Sequence, residues 1–283
     1  MRKHKSTAVL CIVFLVGLSL LLYPVISSDV NERHQTRAVA AYEKAVAEIS
    51  SDDSAAMRRA AEAYNAELSS APTSFVLSDA QQAAYDRLLD PTGSGIMGSI
   101  EISSIGVSLP IYHGVSDEVL AVGAGHLPGS SLPVGGASTH CVLSGHRGLP
   151  SSRLFTDLDQ LQKGDVFLLH VLDETLAYEV DQILIVDPDE IDALGITAGE
   201  DYCTLVTCTP YGINTQRLLI RGHRVPYTAS MTAASSVDAD AEAADPMLVA
   251  SALAVPVLLI LFIVLLVRTR PGKKKTKGGD LLP

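Results

Sequence analysis

The sequence predicts a mainly β extracellular domain with a helical N-terminal segment, held between two membrane-spanning helices. Three observations predict it. Two charge-free apolar runs, residues 6–26 (STAVLCIVFLVGLSLLLYPVI) and 247–267 (MLVASALAVPVLLILFIVLLV), each approach the roughly 20 residues that a bilayer-crossing helix needs. An Ala-rich stretch from about residue 31 to 69 repeats its apolar residues three and four apart. From residue 96 onward the pattern changes to short β-branched runs separated by Gly, Pro and Asp.

Taken in order, residues 1–28 form a basic end, MRKHK, and the first apolar segment, whose basic start and YPVISS flank also fit a cleaved signal peptide. Residues 29–95 hold helices and connecting loops. Val39, Tyr42, Val46 and Ile49 make one stripe, and Met57, Ala61, Tyr64 and Leu68 continue it. The intervening SSDDS (50–54) supplies N-capping residues, so two helices are expected rather than one. Residues 69–82 (SSAPTSFVLSDAQQ) are expected to be loop, with a helical turn in AAYDRLL.

Strands are expected in IMGSIEISSIG, VSLPIYHG, STHCVLSGH, the stretch 165–186 with a hairpin turn at LDET, CTLVTCTP and RLLIRGHRVPY. Short helices are expected at SDEVLAVGAG and SSRLFTDLDQL. These elements make residues 96–227 an all-β sheet or barrel with helical decoration. Residues 228–246 form an acidic, small-residue linker, 247–267 the second membrane helix, and 268–283 a tail with six Lys/Arg. Basic flanks stay cytoplasmic, which places both ends inside and the middle outside the cell, a two-span arrangement with the lipid bilayer as partner.

Between residues 29 and 246 there are 12 Lys+Arg against 31 Asp+Glu, a net charge of −19. Such a segment has no electrostatic footprint for nucleic acid. Outside the membrane segments stand Cys141, Cys203 and Cys208, an odd number that excludes full disulfide pairing and leaves at least one free thiol.

That thiol is sought in TLVTCTPYGINTQR (204–217). Strand alternation puts Thr204, Val206 and Cys208 on one face and Cys203, Leu205 and Thr207 on the other. Cys208 ends its strand just before the TPYG turn, at a sheet edge rather than in mid-core. A cysteine nucleophile wants a base or a positive partner. His146 stands where the strand of STHCVLSGH gives way to a loop, placed as Cys208 is, whereas His140 reads as packed or hydrogen-bonded. If 203–221 is a hairpin, Arg217 returns opposite Cys208, and a guanidinium there would stabilise an oxyanion. Arg221 shares the face of Arg217 and competes with it; Arg224 does not. Each element alone is more often structural. HCVLSGH does not carry a usual zinc spacing, so no metal and no other cofactor is expected.

Together these residues resemble the sortase family. TLVTC matches its Thr-Leu-x-Thr-Cys signature, and LSGHRGLPSSRLFTDLDQL, IYHG and TCTPYGINT are similar to the class C, pilus-assembling branch, over about Ile96 to Tyr227. The resemblance implies an eight-stranded closed β-barrel. It also implies a cysteine transpeptidase that cuts a Leu-Pro-x-Thr-Gly sorting signal between Thr and Gly through a thioester, then joins the Thr to a lysine amine of another pilin. Carried onto this chain, Cys208 is the nucleophile, His146 the acid and base, and Arg217 the oxyanion stabiliser. Its partners are then pilin subunits bearing sorting signals and acceptor lysines. Class C enzymes usually carry an Asp-Pro-aromatic lid, which residues 69–82 lack; Phe75 and Asp79 are the substitutes available. The rival readings are a hydrolytic cysteine protease, a wall-anchoring sortase, and a non-enzymatic surface scaffold with Cys208 buried.

Overall fold

A computed structural model of the chain describes residues 2–228, 231 and 246–269. The linker expected over 228–246 and the basic tail lie almost wholly outside these residues. By its contacts the chain divides into two units, Ser27–Glu242 and a second made of Met1–Ile26 with Ala243–Pro283.

In the second unit both apolar runs are helical. Helix α1 is Arg2–Glu48, and the C-terminal helix α5 is Pro246–Thr269. Phe14 and Phe262 stack with ring centroids 4.1 Å apart. Among the described residues, one helical stretch, Cys11–Glu48, is long and apolar enough to cross a membrane; the apolar part described in α5 is Leu253–Arg268. The expected boundary at residue 28 falls inside α1, because Ser27, Ser28 and Asp29 bring neither Gly nor Pro to end the helix.

Helix α2, Ser51–Ser69, starts where SSDDS predicts: the Ser50 hydroxyl accepts the Asp53 amide, and Asp52 and Asp53 add charge favourable to a helix N-terminus. Residues 79–85, expected mostly as loop, form helix α3, Asp79–Tyr85, launched by a capping box between Ser78 and Gln81. Buried polar side chains fasten α1 and α2 to a strand and to loops between strands. The Tyr42 hydroxyl donates to the Met97 carbonyl (3.1 Å) and accepts the Leu172 amide (2.8 Å), and burial pushes its pKa up to about 12. Asn65 bonds both the amide and the carbonyl of Leu132.

Eight strands close into a barrel in the order β1-β2-β3-β4-β7-β8-β6-β5. They are β1 Ile96–Ile102, β2 Val107–His113, β3 Ala124–His126, β4 Thr139–Ser144, β5 Val166–Val171, β6 Glu174–Val186, β7 Asp201–Thr209 and β8 Gln216–Val225. The pairs β2/β3 and β4/β7 are parallel and the rest antiparallel. The hairpin expected at LDET is present, turning at Leu172 with φ 52°.

The short helix expected in SDEVLAVGAG is present as α4, Asp117–Leu120, and β3, whose three residues are too few to show alternation, follows it. One local expectation differs. SSRLFTDLDQL is a run of turns with one 3-10 turn at Leu158–Gln160, because Leu154, Phe155, Leu158 and Leu161 are each drawn into the core rather than along one helical stripe.

The barrel interior is apolar, with Ile100, Ile111, Leu143, Phe167, Leu169, Leu205 and Ile220 fully buried and Phe167 stacked on Tyr178 at 5.6 Å. A smaller cluster lies on the outer face of the β4-β7-β8-β6 wall, where Val142, Val206, Leu219, Leu184 and Val186 pack with Leu194 and Phe75. The outer face carries the candidate site.

Candidate active site

The site is built by register. On β7, Cys203, Leu205 and Thr207 are buried on the barrel side while Val206 and Cys208 are half-buried on the other, as alternation predicts, and Thr204 is buried on that outer face against His140. On β8, Arg217 is the direct partner of Cys208, as Leu219 is of Val206. The odd positions of β8 therefore share the face of the even positions of β7.

On the other flank, β4 runs parallel to β7 with Ser144 level with Val206. Beyond the last paired residues the two chains stay joined, since the Gly145 amide donates to the Val206 carbonyl (3.0 Å) and the buried Thr207 hydroxyl donates to the Gly145 carbonyl (2.8 Å). His146 is the next residue, and the same register carried two residues past Ser144 would set it level with Cys208, on the side away from Arg217.

The loop after His146 is held from several sides. The Phe155 amide donates to the His146 carbonyl (3.1 Å), and the Phe155 ring closes over Gly145. Arg147 forms an ion pair with Asp159, donates to the Thr209 hydroxyl (3.3 Å) and lies over the Tyr211 ring at 5.9 Å. It thus ties the His146 loop to the residue after Cys208. Reading for chemistry passed over Gly145, Arg147, Phe155 and Thr207; the adjacency of Arg147 to His146 was the available signal.

The two arginines weighed in the sequence have different surroundings. Arg221 is committed: it bonds both carboxylate oxygens of Asp181 at 3.0 and 2.8 Å and stacks on Tyr202 at 4.1 Å. Asp181 is the extra residue of a bulge in β6, and such bulges re-aim a side chain. Arg217 has only the main-chain carbonyls of Asn214 and Gln216 within reach, and among the described residues it makes no ion pair. Its charge is therefore available at the site.

His140 is 1% exposed. Its Nδ1–H donates to the Gly195 carbonyl (2.9 Å), and its Nε2 accepts the Thr204 hydroxyl (2.7 Å). Burial lowers its pKa against the opposing pull of that carbonyl, so it is a neutral structural group, as the sequence reading had it.

The loop before α3 reaches the same wall. The backbone of Ser74 and Phe75 crosses Gly129 so closely that an added Cβ would meet the Ser74 carbonyl at 2.2 Å. Phe75 packs against the outer cluster of Val142, Leu194 and Leu219, and Leu219 stands two residues along β8 from Arg217. A small cavity of about 70 Å³ remains beneath this segment, between Thr73, Phe75, Ser130, His140 and Leu194. Asp79 is an exposed first-turn residue of α3, and no described hydrogen bond or ion pair links it to Cys208, His146 or Arg217.

Known proteins share this fold. The model of the sortase domain matches residues 100–225. Sortase A of Streptococcus agalactiae serotype III is 31% identical over 117 residues, 40% of this chain and 47% of that protein, so the chain spans about half the length of this curated relative. Among solved structures, sortase C1 of S. agalactiae is 48% identical with a TM-score of 0.67, covering 68% of this chain and all of that one. Sortase C of Clostridium perfringens, solved with the C-terminal cell wall sorting motif, is 43% identical with a TM-score of 0.61, covering 68% of this chain and all of that one.

Proposed function

The chain belongs to the sortase family, with class C sortases as its structural neighbours, and on that premise we propose that it is a membrane-held cysteine transpeptidase that polymerises pilins. The observation that supports this reading is the register around the thiol: Cys208 stands directly opposite Arg217, and Gly145, the residue before His146, is bonded to Val206 and Thr207 on the β4 side of it.

In the proposed reaction the Cys208 sulfur attacks the Thr carbonyl of a Leu-Pro-x-Thr-Gly sorting signal, and Arg217 holds the oxyanion that forms. The intermediate collapses by breaking the Thr–Gly bond, with His146 giving a proton to the leaving Gly amine. A thioester remains on Cys208. A lysine amine of a second pilin then attacks it; His146 takes the amine proton, an amide forms, and the thiol is released. Phe75 acts as a lid residue on the apolar face beside the site, without an Asp-Pro pair before it. The two apolar helices hold the enzyme at the membrane, where precursors with sorting signals are retained.

The test is mass spectrometry of the full chain after incubation with a sorting-signal peptide, with and without a lysine-like amine. A thioester-sized adduct on Cys208 that the amine converts to an amide product is expected, as is loss of both in Cys208→Ala with the fold intact. Release of free threonine carboxylate despite abundant amine would identify a hydrolase instead. No adduct at all would leave a scaffold.

A further inference from the structure

Two more cysteines lie inside the barrel, and the proposed reaction uses neither. Cys141 on β4 and Cys203 on β7 are direct register partners on adjacent parallel strands. They line the interior with Leu143 and Leu205, at 2% and 0% exposure. The Cys203 thiol and the buried His126 ring both lie close to the Cys141 thiol. Burial opposes ionisation of both thiols and, with Cys141 beside it, holds Cys203 well above the ordinary thiol range, whereas the neighbouring Cys203 and His126 outweigh burial at Cys141 and hold it below that range, so Cys141 is the one nearer the thiolate.

Both cysteines are thiols in this structure, yet their placement suits a bond. Neighbouring strands set partner Cα atoms about 5 Å apart, inside the roughly 4.4–6.8 Å window that a disulfide accepts. Being register partners, they point their side chains to the same face of the sheet. Cys11 falls in the first apolar helix and Cys208 on the opposite face of β7, so neither competes for a partner within the barrel.

We propose that Cys141 and Cys203 form an intramolecular disulfide in the exported protein, through exchange with a disulfide oxidant. The Cys141 thiolate attacks one sulfur of a disulfide R–S–S–R, giving a mixed disulfide and releasing one R–S⁻. Cys203, on losing its proton, attacks the Cys141 sulfur and releases the second R–S⁻. Two protein thiols are oxidised, one disulfide is reduced to two R–SH, and the two protons end on the released thiols. Because both groups are enclosed, the exchange takes place before the barrel closes or during an opening of the β4/β7 wall. The product links the two strands whose register would set His146 level with Cys208. It also closes a loop of about 60 residues, worth a rise in Tm on the order of 10 °C.

The experiment uses the full chain carrying Cys11→Ser and Cys208→Ala, so that these two thiols alone remain, exported into the membrane of a host and equilibrated with oxidised glutathione. The protein is denatured in an alkylating agent, with or without prior reduction, and weighed. The expected result is two alkyl groups only after reduction, with a protease digest giving the peptides of Cys141 and Cys203 joined to each other. Two alkyl groups without reduction, or glutathione adducts on single cysteines, would overturn the proposal. Because the mass is read in denaturant, the result does not depend on the activity of the variant.

Discussion

Gly145 is where the fold and the site meet, and Gly145→Ala tests whether the clamp described above positions His146. An added Cβ would stand 2.5 Å from Cδ2 and 2.7 Å from Cγ of Phe155. Carbon atoms in contact prefer about 3.5–4.0 Å, so something must move by about 1 Å. The Phe155 ring is fully buried in the core, and Gly145 is held to β7 through both its amide and its carbonyl. The Phe155 amide is bonded to the His146 carbonyl, so separating residues 145 and 155 shifts the peptide that carries the imidazole. Overpacking of this kind costs about 1–3 kcal/mol, or a Tm lower by about 3–10 °C in a unit of this size. A displacement near 1 Å at a catalytic group lowers the rate by about 10²-fold. The assays are a thermal melt and the rate of Cys208 thioester formation from a sorting-signal peptide. Gly195→Ala is the control: there the new Cβ meets Asp192 O at 3.4 Å and Thr73 Oγ1 at 3.8 Å, ordinary contacts, and stability should stay within about 0.5 kcal/mol. Adding Phe155→Leu to Gly145→Ala should restore part of the rate by making room for the methyl group. A Gly145→Ala protein that melts and acylates like the parent would refute the reasoning.

Arg217→Ala should lower the acylation rate by about 10²–10³-fold with stability within about 0.5 kcal/mol, whereas Arg221→Ala should cost about 1–2 kcal/mol by leaving Asp181 without its partner, both groups being largely but not fully buried; denaturant melts and single-turnover rates that reverse this assignment would remove Arg217 from the site. Phe75→Ala takes an aromatic ring off the apolar face, and a thiol reagent should then label Cys208 several-fold faster; unchanged labelling would show that Phe75 does not gate the thiol. His140 is held below its ordinary pKa of 6.5 by burial, so below pH 6.5 the unfolded chain binds a proton that the folded chain refuses. Its contribution is fully present above pH 6.5 and is lost as pH falls toward its depressed folded value, which urea titrations at pH 7.5 and 5.5 should register as a drop in stability. A rise, or no change, would contradict a neutral buried imidazole.

How much of this was legible in the sequence depends on the range of the interaction concerned. Strand alternation is local, so the opposed faces of Cys203 and Cys208 follow from residue parity, and the turn between β7 and β8 is short enough to bring Arg217 back beside Cys208. The start of α2 at Ser50 is equally local, being a hydroxyl that caps an amide three residues on. By contrast β3 is three residues long, with nothing to alternate, and α3 depends on a capping box inside a stretch of turn-forming composition. The place of His146 is of another kind. It depends on β4 lying parallel to β7 in a register where Ser144 meets Val206, a pairing across about 60 residues of chain, which no local turn sets. The resemblance of LSGHRGLP to a known family identified the histidine; the periodicity around it placed it only at a strand end. The choice between Arg217 and Arg221 is likewise non-local, because parity gives both the same face and only the bulge at Asp181, two strands away from Cys208, engages one of them and leaves the other free. The arginine proposed for catalysis and the structural one are thus separated here by a single inserted residue in the strand beside β8, and deletion of Asp181 would leave the β6/β8 pairs on either side of it in place while removing the carboxylate that engages Arg221.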